Sequence, residues 1–555
     1  MPKDFFKKSL NLLLKRQNNI LSAAIVIMAT IIFSQILGLI RQRLLASIFG
    51  ASNTLGVYFA SAKMPEFLFQ LIIAGALSSA FIPVFSDYLA KGREKEAHSV
   101  ASTLLTLSLI IFSFFAALVF IFAHNISAII APGFNPGQLD LMTSLMRIII
   151  FGEVIFIVGS FLSAMLQSYN HFFIPGIASA SYNLGIIIGI VFLHEFFGIF
   201  SAAYGVVLGA LIFVLIQIPL VRKLGFSFKP TMSLDFIKNS AVLDVFKLIW
   251  PRTLSIAIFQ LGTLITLTLV SYLQNPGRNY VILDFAQTLA FAPVALIGQS
   301  IAQAAFPVLS KEKDRLVDFK TTFLTSFTQL FYLILPISIL ILVLRIPLVR
   351  LVYGASAFDW EATVLTGRTL AFFSISLFAQ ALVYLVSRAF YALHDTKTPL
   401  VIGSITTFLM ITMGALFIFV YHFGIESIAF AFSVASILNF LIMLIFLDIK
   451  IGGFPKKDFL ISVSKILLAS FFTAFALYIP IKLLDQLVFD TTKTVNLILL
   501  TGISSFAGLC LYLFLTWLFN VKEATMFILL FKRIGDWRQI LKKSEETIDG
   551  TRLNP

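Results

Sequence analysis

The sequence predicts an all-helical membrane protein with about fourteen transmembrane helices. Of its 555 residues, 59% are hydrophobic and only 12% are charged, whereas soluble domains carry about 25% charged residues. A chain this poor in charge cannot cover a water-facing surface. Its apolar runs reach about 20 residues, the length that a helix needs to cross the hydrocarbon core, and the alternating segments typical of a membrane barrel are absent from the sequence.

Apolar runs of this length recur from one end of the chain to the other. The first is preceded by residues 1–19, in which lysines alternate with phenylalanines and leucines, a pattern that predicts an amphipathic helix at the membrane surface. The first run is longer than a signal-peptide core and has no cleavage site, so it is predicted to be retained. The predicted spans lie near residues 20–40, 64–86, 99–123, 143–168, 172–194, 199–221, 250–273, 282–308, 321–344, 368–391, 398–420, 425–447, 459–481 and 494–519.

The basic residues predict the orientation of these spans. Most of the 41 Lys and Arg residues fall in alternate connecting segments, which the positive-inside rule places in the cytoplasm together with both termini. Three of the remaining cations, Arg41, Arg43 and Lys63, are assigned to the first outer loop. The net charge of +14 is then mainly a topology signal and not a nucleic-acid signal, with contact to anionic lipid head groups as a secondary effect.

The long basic segment near the middle divides the chain into two similar halves. AFIPVFSDYLAKGREKE at 80–96 and AAFPVLSKEKDRL at 304–316 occupy corresponding places in spans 2 and 8 and indicate an internal repeat. Two six-helix halves related in this way are typical of alternating-access transporters. The predicted parts are an amphipathic segment (1–19), an N-terminal lobe (20–222), a linker (223–248), a C-terminal lobe (249–448), two further spans (459–519) and an amphipathic tail (520–555).

Four segments resemble the MurJ/MviN family of lipid II flippases, which belongs to the superfamily of multidrug, oligosaccharidyl-lipid and polysaccharide exporters. They occur in the family's order and cover both halves. The segments are SQILGLIRQRLLASIFGAS (34–52) with YFASAKMPEFLFQLIIAGALSSAFIPVFSDY (58–88), AMLQSYNHFFIPGIASASYNLGIIIG (164–189), TLAFAPVALIGQSIAQAAFPVLSK (288–311), and LVYGASAFDWEAT (351–363) with SRAFYALHDTKTPL (387–400).

The resemblance implies a V-shaped pair of six-helix lobes around a cavity between spans 1, 2, 7 and 8, with two extra C-terminal helices. It implies a protein of the bacterial inner membrane that flips an undecaprenyl-pyrophosphate-linked peptidoglycan precursor outward, needs no cofactor or metal, and acts as a monomer that can contact cell-wall synthesis enzymes. A diphosphate in such a cavity pairs best with guanidinium groups, which bind phosphate in a bidentate manner.

The sequence departs from the family at the residues that line this cavity. The family's usual cavity arginines correspond here to Gln35 and Arg41 on span 1 and to Phe69 and Gln70 on span 2, and its acid–arginine pair on span 8 corresponds to Gln287 and Thr288. Arg252, at the start of span 7, is a candidate compensating cation or else reaches the inner surface. The predicted substrate-binding set is Arg41, Arg252, Gln35, Gln70, Gln287, Lys63 and Glu66.

Other charged residues inside the spans have competing interpretations. Lys63 and Glu66 are three residues apart on one helical face, so they pair with each other or contact the substrate. Glu153 is interpreted as a hydrogen-bonded acid inside the first lobe or as a proton-coupling site. Asp284 is expected to be a solvated outer residue, and His394–Asp395 is expected to cap the turn after span 10.

Two other functions remain open at this stage. One is an exporter of another lipid-linked oligosaccharide or amphiphile, and the other is a non-transporting scaffold whose cavity is filled by bulky side chains such as Phe69 and Phe291. An enzyme is not predicted, because the sequence has no nucleophile-elbow, P-loop or H-E-x-x-H pattern. A carboxylate sodium site is also not predicted, since 253–273 and 398–425 contain no Asp or Glu.

Overall fold

Helices joined by short turns make up nearly all of the described chain. The computed structural model describes residues 20–71, 81–230, 240–487 and 493–524, and no strand is assigned in these ranges. The predicted amphipathic segment 1–19 and most of the predicted tail lie outside them. The helices are α1 (Ile20–Phe49), α2 (Asn53–Phe69), α3 (Ile82–Ala90), α4 (Glu94–Ile121), α5 (Ala123–Ile130), α6 (Pro136–Ser168), α7 (Phe173–Phe197), α8 (Phe200–Lys223), α9 (Ser240–Ser271), α10 (Pro276–Pro293), α11 (Ser300–Glu312), α12 (Leu316–Val343), α13 (Arg345–Tyr353), α14 (Trp360–Ile375), α15 (Leu377–Ala392), α16 (Lys397–Phe419), α17 (Glu426–Lys450), α18 (Lys456–Leu487) and α19 (Thr494–Leu518).

The helices long and apolar enough to cross a membrane confirm the predicted fold class. Within the described ranges there are 11, or up to 12 if α14 and α15, which are bent by 42° relative to each other, form one span. The predicted span 64–86 runs partly over residues outside the described ranges, and several side chains near the start of the predicted span 250–273 are not described. The total of fourteen therefore stays a prediction.

Two residues, Gly50 and Ser52, permit the short turn between α1 and α2. Gly50 adopts a φ of +62°, and a Cβ there would lie 2.2 Å from the carbonyl oxygen of Ala357, so a larger residue is excluded. Ser52 is the N-cap of α2, and its side chain accepts a hydrogen bond from the backbone N–H of Leu55 at 3.2 Å. The second helix consequently begins at Asn53, well before the predicted start of span 2.

The assignment of Arg41, Arg43 and Lys63 to an outer loop is wrong. Arg41 and Arg43 lie inside α1, and Lys63 lies inside α2. A hydropathy window ends a span where charges appear, but the helix continues because its backbone hydrogen bonds do not depend on side-chain polarity. Three cations thus lie on helices at the place where the sequence indicated a solvated connection.

The described chain divides into two compact units. The first comprises residues 1–285, 352–366 and 407–428, and the second comprises 286–351, 367–406 and 429–555. In the first unit α7 and α8 approach closely through glycines. A Cβ on Gly185 would lie 2.1 Å from the Cα of Gly209, and a Cβ on Gly205 would lie 2.7 Å from the Cα of Ile186. Small residues at a helix contact permit this approach, as is typical of membrane helices.

The second unit is held together by aromatic packing and by hydrogen bonds between helices. The Phe323 ring on α12 stacks on the Phe454 ring at 5.4 Å. The Tyr512 hydroxyl on α19 donates to the carbonyl oxygen of Tyr332 at 2.7 Å. Where α14 bends into α15, the Ser433 hydroxyl of α17 donates to the Phe372 carbonyl oxygen at 2.6 Å, which satisfies a backbone acceptor near the break.

Candidate functional site

The candidate site lies in the first unit and begins with Arg41 on α1. Its side chain is only partly exposed, and its Nε atom is buried without a hydrogen-bond partner among the described residues. A guanidinium group inside an apolar helix costs at least about 2.5–3.5 kcal/mol at mid-depth, so a cation retained there is a functional candidate. Arg41 therefore has donor capacity that the described protein groups do not use.

Lys63 and Glu66 on α2 form an ion pair. The Lys63 Nζ lies 3.4 Å from the Glu66 Oε2, with 21% and 47% of the two side chains exposed. The three-residue spacing places both groups on one face of the helix, as predicted from the sequence. Lys63 also interacts electrostatically with Tyr280 and Asp284 of α10, so the pair belongs to a larger cluster.

Asp284 is the acid of α10 in this cluster. It is half-buried and interacts electrostatically with Lys63, Arg41 and Glu66. The expectation that Asp284 is solvated is wrong, because α10 begins at Pro276 and carries this half-buried residue two turns into the helix. Its position on the outer side stays a prediction. We define the charged cluster as Arg41, Lys63, Glu66 and Asp284.

Tyr353 holds the helices of the charged cluster together. Its hydroxyl lies 2.9 Å from the Oε1 atom of Gln42 and 3.2 Å from the carbonyl oxygen of Phe285, so its single proton has two acceptors within hydrogen-bond distance. Its ring stacks on the Phe285 ring at 4.1 Å, and the ring of Phe59 on α2 lies 5.8 Å from Phe285. Because Gln42 follows Arg41 and Phe285 follows Asp284 in the chain, this packing fixes α1, α2 and α10 beside each other at the charged cluster.

Glu153 on α6 lies at the margin of the charged cluster. It interacts electrostatically with Glu66 and with Tyr182 of α7. Tyr182 is followed by Asn183, whose Nδ2 donates to the backbone oxygen of Ser34 on α1 at 3.2 Å. The polar side chains of α6 and α7 thus extend the charged cluster within the first unit.

Among the described side chains, no hydrogen bond or ion pair joins Gln35, Gln70 or Gln287 to the charged cluster. Gln35 is exposed on α1, and Gln70 is half-buried just after α2. Gln287 is half-buried on α10 and belongs to the second unit. Arg252 lies in α9, but its side chain is outside the described residues. Their roles stay predictions.

Sequence reasoning missed Asp284 as a member of the site. The residue lies three positions before the predicted site residue Gln287, so both occupy one face of α10. The available signal was an isolated carboxylate in an otherwise apolar helical run. Asp284 was placed in solvent because it lies near the start of the predicted span, at residue 282. In the structure the helix begins earlier, at Pro276.

The two aromatic residues that suggested a filled cavity pack within their own units. The Phe69 ring contacts the Phe156 ring at 5.3 Å in the first unit. The Phe291 ring contacts Phe373 at 5.8 Å and Phe432 at 5.4 Å in the second unit. Both residues therefore have a packing role that explains them without a scaffold function.

His394 and Asp395 form a separate polar turn between α15 and α16. Asp395 Oδ1 accepts the backbone N–H groups of Lys397 and Thr398 at 3.1 and 3.0 Å, and its Oδ2 accepts from Lys450 Nζ at 2.6 Å. Burial opposes ionisation, but the hydrogen bonds from Lys450 and Thr398 outweigh it and lower the pKa of Asp395 to about 2. The prediction that this residue pair caps the turn is confirmed for Asp395.

Comparison with known sequences identifies the family. The family profile described as "Lipid II flippase MurJ" matches residues 45–525, which is most of the chain. This chain belongs to the MurJ family. The probable lipid II flippase MurJ of Buchnera aphidicola subsp. Acyrthosiphon pisum is 29% identical over 520 residues, covering 92% of this chain and 99% of that protein. The probable lipid II flippase MurJ of Thermotoga maritima is 28% identical over 438 residues, covering 78% and 86%.

Solved structures show the same fold. A lipid II flippase MurJ in an inward closed conformation is similar with a TM-score of 0.73 at 24% identity, covering 89% of this chain and 98% of that one. An inward-facing multidrug resistance MATE transporter is similar with a TM-score of 0.63 at 13% identity, covering 77% and 98%. Its MurJ fold and its apolar helices make the chain a multi-pass membrane protein.

Proposed function

We propose that this chain is a lipid II flippase, which moves the undecaprenyl-pyrophosphate-linked peptidoglycan precursor from the inner to the outer leaflet of the bacterial cytoplasmic membrane by alternating access. The observation that carries the proposal is the MurJ family match over residues 45–525. This match extends through both halves of the chain and includes Lys63, Glu66 and Asp284 of the charged cluster, whereas Arg41 precedes residue 45 and lies outside it.

The charged cluster supplies a chemistry suited to such a substrate. A diphosphate group needs cations in a site of low dielectric constant, where a guanidinium binds phosphate oxygens through two parallel hydrogen bonds. Arg41 has a buried Nε without a hydrogen-bond partner among the described residues, and Lys63 is a second cation on the neighbouring helix. Arg41 binds the diphosphate, and Lys63 adds a flexible positive charge beside it.

Gln35 and Gln70 take the positions of family arginines, and Gln287 takes the position of the acid in the family's pair on span 8. All three act as neutral donors. Gln35, Gln70 and Gln287 hydrogen-bond the sugar and phosphate oxygens without adding charge. Arg252 adds a cation from α9. Because this site carries few positive charges, its affinity for the diphosphate depends more strongly on Arg41 than it would in a site with several arginines.

The remaining features of the proposal follow from the family and from the basic residues. Residues 20–222 and 249–448 form the two lobes, and the helices after 459 contact the polyprenyl chain. Both termini face the cytoplasm, where basic segments contact anionic lipids, and the monomer meets cell-wall synthesis enzymes at the membrane. The transport cycle contains no catalytic step. An anion that moves outward gains about 2.3 kcal/mol per charge for each 100 mV of membrane potential.

Complementation of a bacterial strain depleted of its own lipid II flippase tests the proposal. The parent chain is expected to restore growth, and Arg41→Ala is expected to abolish rescue because it removes the main diphosphate ligand. Arg222→Ala is the matched control, since Arg222 is exposed at the end of α8, a helix that carries no member of the charged cluster. This variant is expected to rescue as well as the parent.

Immunoblots of isolated membranes make the growth result interpretable. The parent, Arg41→Ala and Arg222→Ala are expected at equal levels in the membrane fraction. Absence of rescue by a parent chain that is present in the membrane would contradict lipid II as the substrate. Equal rescue by Arg41→Ala would contradict the proposed site.

A further inference from the structure

The charged cluster contains as many acids as cations. Arg41 and Lys63 carry positive charge, and Glu66 and Asp284 carry negative charge. Glu66 is paired with Lys63 at 3.4 Å, which leaves Asp284 as the acid that interacts with both cations. A site of this kind is electrically balanced when it is empty, because two cations in apolar surroundings need two anions nearby.

The position of Asp284 is set by packing and not by its charge alone. The next residue, Phe285, is fully buried, stacks on Tyr353 at 4.1 Å and offers its carbonyl oxygen to the Tyr353 hydroxyl at 3.2 Å. The same hydroxyl contacts Gln42, the residue after Arg41, at 2.9 Å. The backbones that carry Arg41 and Asp284 are therefore fixed against one buried side chain.

A diphosphate that enters this balanced site adds at least two negative charges. Arg41 and Lys63 are already partly neutralised, so an incoming diphosphate must compete with the resident carboxylates for them. The Nε of Arg41 is buried without a hydrogen-bond partner among the described residues, so Arg41 keeps a donor that the resident carboxylates do not use.

We propose that Asp284 is the resident counter-ion of Arg41 and Lys63, which neutralises them in the empty site and competes with the diphosphate of the substrate. This rests on the proposed function, because it takes the substrate to be a prenyl diphosphate. The competition weakens binding, since a bound diphosphate repels the nearby carboxylate. Weaker binding favours release on the far side of the membrane, as a transporter requires.

Binding of farnesyl diphosphate to the purified full-length protein in detergent tests the counter-ion. Asp284→Asn removes the competing charge while keeping the size of the side chain, so it is expected to bind the probe about tenfold more tightly than the parent. Asp284→Glu keeps the charge and is expected to stay within about twofold of the parent. Asp314→Asn is the matched control, because Asp314 is exposed in the turn before α12.

A damaged fold cannot mimic the expected result, because loss of structure weakens binding, whereas removal of a competing counter-ion in Asp284→Asn is expected to strengthen it. The affinity gain of Asp284→Asn is also expected to shrink as salt concentration rises. Unchanged or weaker binding by Asp284→Asn overturns the inference, and so does absence of binding by both proteins.

The inference and the proposed function fail in different ways. If Asp284→Asn binds as the parent does while the parent complements a flippase-depleted strain, the counter-ion is wrong and the function stands. If Asp284→Asn binds more tightly while the parent does not complement, the counter-ion is supported for a different diphosphate and lipid II is wrong.

Discussion

At the scale of single residues, the charged groups of this chain fall into two environments. Arg41, Lys63 and Asp284 lie inside apolar helices, and Asp284 interacts electrostatically with both cations. Asp395 lies in a polar turn, with 14% of its side chain exposed, and is hydrogen-bonded by backbone N–H groups and by Lys450. The first environment is suited to exchange partners with a substrate. The second is suited to hold a turn, because the hydrogen-bond partners Lys397, Thr398 and Lys450 belong to the same unit as Asp395.

Asp395 makes stability dependent on pH in a defined direction. Its pKa in the folded protein, about 2, is below the value of about 4 expected for an unfolded chain, so its stabilising effect is complete above pH 4. The effect is lost as the pH falls from about 4 to about 2. Asp395→Asn is therefore expected to lower the melting temperature at pH 7, with the difference from the parent shrinking below pH 4.

Thermal unfolding in detergent across this pH range checks the prediction. Asp87→Asn is a suitable control, since Asp87 pairs with Lys91 at the surface with 57% of its side chain exposed, and such pairs contribute little. A constant difference between Asp395→Asn and the parent from pH 7 to pH 3 would be inconsistent with a lowered pKa for Asp395.

At the scale of helices, close packing depends on glycines, and the spacing of glycines in the sequence does not show which of them contact another helix. Glycines occur throughout the apolar runs, and only the structure separates those that touch a backbone from those in open space. Gly185 lies against Gly209, whereas an added Cβ on Gly403 would meet no atom within 4 Å. The sequence can propose a small-residue contact, but it cannot assign a partner helix to it.

Gly185→Ala and Gly403→Ala should therefore differ in their effects on stability. The first places a methyl group 2.1 Å from a backbone Cα atom and forces α7 and α8 apart, which is expected to cost about 1–3 kcal/mol. The second is expected to be neutral or to stabilise by up to about 1 kcal/mol through higher helix propensity. Thermal unfolding of the two variants measures this difference, and equal melting temperatures would show that α7 and α8 do not pack through these glycines.

The helices were largely predictable from the sequence, but their ends were not. Apolar length gives the existence of α1 and α2, and the Lys63–Glu66 pair follows from helical spacing. The start of α2 depends on a cap at Ser52 and on the left-handed conformation of Gly50, which a hydropathy window does not detect. The misplacement of Asp284 has the same cause, because α10 extends through polar residues that a window excludes.

At the scale of the whole molecule, the first unit brings together the ends of several helices. A Cβ on Gly56 would lie 1.9 Å from the carbonyl oxygen of Gly277, and the backbone N–H of Arg278 donates to the Asn53 Oδ1 at 3.1 Å. The Arg278 guanidinium binds Asp359 at 3.1 Å and Glu361 at 3.0 Å. These contacts join the start of α2 to the start of α10, on the side that the basic residues predict to face outward.

Under the proposed alternating access, we expect this contact to open during the cycle. Gly56→Ala prevents the close approach of the starts of α2 and α10. A cysteine introduced as Asn53→Cys should therefore react faster in the Gly56→Ala protein than in the protein that keeps Gly56, when a membrane-impermeant maleimide is added outside intact cells. The only native cysteine, Cys510, is replaced by serine in all variants. Gly137→Ala is the control, because its nearest added contact is an ordinary 3.5 Å to the side chain of Asn135. Labelling from the inner side only would reverse the predicted orientation.

Translocation by the purified chain in liposomes tests the central claim most directly. Fluorescent lipid II is placed in both leaflets, and its appearance at the outer surface is followed after the outer pool has been quenched. The parent and Arg222→Ala are expected to accelerate translocation over protein-free liposomes, and Arg41→Ala is expected to reduce the rate to that background. A parent chain that does not accelerate translocation, or an Arg41→Ala variant as fast as the parent, would contradict the account.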